Sequence, residues 1–184
     1  MTEKKQNIEI NNIIKTCLDE IYLLNSDAMS DTGQHISSRL RIDDFGDDSD
    51  VKVSCRYEAE KAGVIITIEY RVDAKKKRFG KMFRLMNLMN LEFLEIGTMS
   101  FIEETGIVRL AAQIPVAGDN LSRVQLKGCL DRLLSKVAHT CILITPFASN
   151  SNSPESVMAQ LMTSIMEKQF QTNMPIGNQT DTVH

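Results

Sequence analysis

The residues of this 184-residue chain that could do chemistry are three histidines, four cysteines and two clusters of charge. Histidine works as a general base or a metal ligand only with a second group held beside it. His35, His139 and His184 are far apart, and none has another ligand or triad residue at a working spacing. Cys17, Cys55, Cys129 and Cys141 are equally scattered, with no CxxC or CxxH pair, and each stands where a small hydrophobe would fit. They read as buried free thiols rather than as metal or redox sites. The sequence has no phosphate-binding glycine loop, nucleophile elbow or HExxH helix. No catalytic residue, metal site or cofactor is assigned, and the chain reads as a non-enzyme.

The acidic cluster Asp43, Asp44, Asp47, Asp48 and Asp50 lacks the alternating ligands and closing Glu of a calcium loop, which leaves a solvated loop. The basic run Lys75, Lys76, Lys77 and Arg78, extended by Lys81 and Arg84, is the one place where polyanion binding can be argued. No regular aromatic interleaving supplies platforms for stacking bases, and the run falls where a strand turns into a helix, so a solvated connection is the plainer reading. A net charge of −3 adds no general attraction to nucleic acid or to an acidic membrane surface. The ten methionines say more. They gather at Met82, Met86 and Met89, and again at Met158, Met162 and Met166. Thioethers adapt to varied apolar partners but also fill irregular cores. The first group reads as core, while the second stands evenly between core and docking surface because a polar linker precedes it.

The elements that position these residues are legible from periodicity. Ile10, Ile13, Ile14, Cys17, Leu18, Ile21 and Leu24 recur at helical spacing, and the helix should stop at Asn25, Ser26 and Asp27. Residues 26–50 read as loop, with a short edge strand at 39–42, which leaves His35 in the loop. Val51, Val53, Cys55 and Tyr57, then Val64, Ile66, Ile68, Tyr70 and Val72, alternate as two strands of a hairpin, with Gly63 supplying freedom to the turn. Phe79, Met82, Phe83, Met86 and Met89 return to helical spacing over 78–90. A second hairpin pairs 98–103 with 107–114 and ends at Pro115, which cannot donate to a ladder. Ser122 with Gln125 forms a capping box, and Leu121 with Leu126 a staple, opening a helix whose inner face runs through Leu130, Leu133, Leu134, Val137 and Ala138. That places His139 near the helix end. After the linker 150–153, Pro154 and Glu155 start a last helix with the stripe Met158, Leu161, Met162, Ile165 and Met166. The fold class is α+β, an antiparallel sheet of about five strands with helices packed on it.

This order resembles the YbjN-like sensory-transduction regulators, whose fold is that of the type III secretion chaperones. The residues carrying the resemblance are Leu88, Met89 and Asn90, the hairpin over 97–115, and Leu121 and Ser122 at a helix start. It spans about residues 8–140 and implies homodimers that hold extended partner segments against strand edges or apolar grooves. The long loop at 26–50 and the Met-rich last helix depart from it.

The expected layout is a flexible N-terminus over 1–7, the α+β domain over 8–148, a linker and Met-rich helix over 149–171, and a disordered tail over 172–184. The scattered cysteines and the absence of a signal-peptide h-region or an 18-residue apolar run point to the cytoplasm, off the membrane. The expected function is non-catalytic protein binding through strand edges and an apolar groove. Met158, Leu161, Met162, Ile165 and Met166 meet the partner in this reading. The alternative is a regulator that contacts nucleic acid or an anionic ligand through 75–84.

Overall fold

The computed structural model describes residues 2–22, 35–41, 50–116 and 121–173. Helix α1 (Thr2–Tyr22) is followed by strands β1 (His35–Arg41), β2 (Asp50–Glu58) and β3 (Gly63–Arg71). Helix α2 (Phe79–Glu92), strands β4 (Thr98–Ile102) and β5 (Ile107–Pro115), and helices α3 (Arg123–Ser149) and α4 (Pro154–Asn173) complete the chain order. The five strands form one antiparallel sheet in the order β1-β2-β3-β5-β4, in which the expected hairpins β2–β3 and β4–β5 are both adjacent pairs. The expected acidic loop around Asp43, Asp44, Asp47 and Asp48 lies outside the described residues, as do the end of the first helix and the tail beyond Asn173. Asp50 opens β2.

Alternation sorts the strands onto two faces. Val53, Cys55, Val64, Ile66, Ile68, Val108 and Leu110 are fully buried beneath the helices. Helix α1 packs over β1 and β2, α3 over β3 and β5, and α2 over β4, while α4 packs on α2 and α3. Ile10, Ile14, Cys17 and Leu18 make the inner stripe of α1, and Met82, Leu85, Met86 and Met89 that of α2. Met82, Met86 and Met89 are thus core, as their spacing implies.

Three local features differ from the sequence reading. Helix α1 begins at Thr2 rather than near Ile10, because Glu3, Lys4, Lys5 and Gln6 favour helix without adding to an apolar stripe. His35 opens β1 instead of lying in a loop, and His139 sits well inside α3, which runs on through Cys141, Ile144 and Phe147 to Ser149. In the β2–β3 turn the left-handed residue is Ala62, at φ 43°, and not Gly63. Gly63 is needed for space: a Cβ there would stand 2.8 Å from Gln113 Nε2 and 3.0 Å from the Ile114 carbonyl oxygen.

The helix starts follow the capping reading. Ser122 Oγ accepts the Gln125 amide at 3.5 Å, with Leu121 and Leu126 both buried. At α4, Ser153 Oγ accepts the Ser156 amide at 3.2 Å. Glu155 is held below the usual carboxylate range, first by backbone hydrogen bonding at the helix start and then by the charge of Arg84.

Candidate functional site

The four cysteines are buried thiols outside any disulfide. Burial pushes the Cys141 thiol up to about 12 and raises Cys55 and Cys129 as well, so these sulfurs stay protonated and unreactive at neutral pH. Among the described residues no group of three or more His, Cys, Asp or Glu side chains is placed to hold a metal ion. Nor is any helix among them long and apolar enough to cross a membrane.

The basic segment does not form one surface. Arg78, expected among the anion-binding cations, is buried, 6% exposed. Its Nη2 donates to the carbonyl oxygens of Phe147 at 2.9 Å and Asn152 at 3.2 Å, and its guanidinium lies 4.8 Å from the Phe147 ring centre. Its charge therefore faces the carboxyl end of α3, where helix dipoles favour a cation. Arg84 pairs with Glu155 at 2.6 Å. Lys75, Lys76, Lys77 and Lys81 are exposed. Arg78 is thus a bolt joining the start of α2 to the α3–α4 connection, a role that a basic run in a sequence does not announce.

The Met-rich helix divides along its length. Met158 and Leu161 are buried with Val157 in the same core as the sheet, so α4 packs on its own domain and these two are not surface residues. Ile165 is partly buried, whereas Met162 is 37% and Met166 55% exposed. The adjoining α2 adds Phe83 at 41% and Leu91 at 82% exposure. Phe83 also rests edge-on against Phe101, 5.7 Å between centroids, so its ring is fixed on one side and bare on the other.

The β4 edge of the sheet is partly closed. Asn90 Nδ2 donates to the Met99 carbonyl oxygen at 2.9 Å, and Asn90 Oδ1 accepts the Met99 amide at 2.7 Å. The amide group thus pairs with β4 as another strand would, which blunts an edge open to unwanted partners. This gives Asn90, singled out in the sequence only by resemblance, a physical role. Strand β1 forms the other edge.

Fold and surface define a two-layer α+β domain, with an antiparallel sheet covered by helices on one face and exposed apolar side chains on the outer helix pair. No family model matches the chain, and no curated protein matches it. Among solved structures it is similar to a chain in the crystal structure of the ExsC-ExsE complex, at 20% identity and a TM-score of 0.48. That match covers 71% of this chain and 89% of the other.

Proposed function

We propose that this chain is a non-catalytic protein-binding domain of chaperone-like or regulatory type that works in the cytoplasm through the outer side of α2 and α4. The observation that carries the reading is the set Phe83, Leu91, Met162 and Met166, four large apolar side chains left exposed on two helices that pack together. Such side chains on a helix pair suit an apolar partner surface, and methionines suit one of variable shape. A second copy of the chain is the first occupant we expect. Light scattering should give twice the chain mass for the native protein and the monomer mass for Leu91→Glu combined with Met162→Glu. A native protein that stays monomeric at all concentrations would contradict the dimer. The anion-binding alternative over 75–84 is weaker, because Arg78 and Arg84 are engaged elsewhere and leave only Lys75, Lys76, Lys77 and Lys81.

A further inference from the structure

The face of the sheet on which none of the described helices packs is organised into rows. Antiparallel register sets Ser54, Thr67, Ala111 and Thr98 opposite one another across β2, β3, β5 and β4. Two residues away on one side runs the row Lys52, Glu69, Arg109 and Ser100; on the other side run Arg56, Ile65 and Gln113. A floor of small side chains therefore lies between two walls of mostly longer ones. Residues two apart on a strand are separated by about 6.7 Å, so the wall backbones stand about 13 Å apart. With strands about 4.8 Å apart, the four-strand floor is about 14 Å long. This groove crosses the strands and holds a cavity of about 320 Å³ lined by Lys52, Ser54, Arg56, Thr67, Glu69 and Arg109. A neighbouring cavity of about 550 Å³ shares Lys52 and Glu69 and continues to Arg71 and Glu104.

The groove is positively charged although the chain carries −3. Three cations face one carboxylate, and that carboxylate is already bound: Arg109 Nε donates to Glu69 Oε1 at 2.6 Å. Arg56 is partnered by Glu58 at the strand end. Lys52 makes no ion pair among the described residues and is exposed between the two cavities. Ser54 is buried at the β2 end of the floor, whereas the half-buried Thr67 presents a hydroxyl that can both donate and accept, which suits a peptide main chain laid over it. The row residues on β2, β3, β5 and β4 include no Phe, Tyr or Trp, so this part of the groove offers no platform for stacking bases.

We infer that this groove binds an extended, acidic polypeptide segment, with its backbone over Thr67 and a carboxylate at Lys52. The surface lies across the sheet from the helices and does not depend on the outer side of α2 and α4. Fluorescence anisotropy on the full chain tests it with a labelled peptide of alternating Glu and Thr. The peptide should bind at low salt, and Lys52→Glu and Thr67→Tyr should each weaken it by at least about tenfold, the first by charge and the second by filling the floor. Lys77→Glu, on the basic run before α2 and outside the lining of both cavities, should leave binding unchanged. Circular dichroism of the variants checks that the fold is kept. Four results would overturn the inference: no binding, equal binding of a Gln–Thr peptide, tighter binding of oligothymidylate, or a loss as large for Lys77→Glu as for Lys52→Glu.

Discussion

The two faces of the sheet are made by the same strands, read at alternate residues. Ile66 and Ile68 point beneath the helices and are fully buried, while Thr67 between them and Glu69 beside them line the opposite face. On the covered face large β-branched and aliphatic side chains interdigitate with α1, α2 and α3, and identity matters because packing is dense. On the uncovered face, size and charge alternate by row instead, small along the floor and mostly long along the walls. One face spends its alternation on stability, and the other leaves a shaped, charged surface that the fold itself does not use.

Substitutions at neighbouring positions separate the two most sharply. Ile68→Ala should lower stability by about 3–4 kcal/mol in urea unfolding, through lost burial and the cavity left behind. Thr67→Ala, one residue away, should stay within about 0.5 kcal/mol. Equal losses at the two positions would break the distinction. The helix layer has its own fastening at Arg78, and Arg78→Ala should cost about 2 kcal/mol because it strips the Phe147 and Asn152 carbonyls of a charged donor. No measurable loss would mean that the bolt is ornamental. Asn90→Ala should cost about 1–2 kcal/mol and raise concentration-dependent aggregation, since the Met99 backbone would be left unpaired at the β4 edge. The smallest effect concerns Tyr70, whose buried hydroxyl lies near Thr140 and Cys141 without a hydrogen bond of standard geometry. Tyr70→Phe should be neutral or stabilising by up to about 1 kcal/mol, and a clear loss would show that the hydroxyl is satisfied in solution.

Much of the architecture was legible in the sequence because period and punctuation agree locally. The alternation of 51–57 and 64–72, the short turn between 98–103 and 107–114, Pro115 and the Ser122 cap each specify a strand, a turn or a helix start without reference to distant residues. The α+β class and the five strands follow from them. What stayed hidden depends on partners far away in sequence. Arg78 looks like its lysine neighbours until α3 places the Phe147 carbonyl beside it, 69 residues on. Asn90 looks like a helix-end residue until β4 presents Met99. The Met158–Met166 stripe could not be divided into buried and exposed parts, because periodicity shows that a face is apolar but not how far along it the contact extends. The groove on the bare sheet face needs the register of four strands, and no single strand carries it.

Methionine methyl resonances read the proposed surface directly, since buried and exposed thioethers lie on the same helix. In a dilution series of the native chain, the Met162 and Met166 methyl signals should shift with concentration as a second copy covers them. Those of Met82, Met89 and Met158, already enclosed by their own domain, should stay fixed. Met162 and Met166 signals that remain constant while the protein associates, or buried methyls that move by as much as the exposed ones, would contradict the assignment of the α2–α4 outer side as the binding surface.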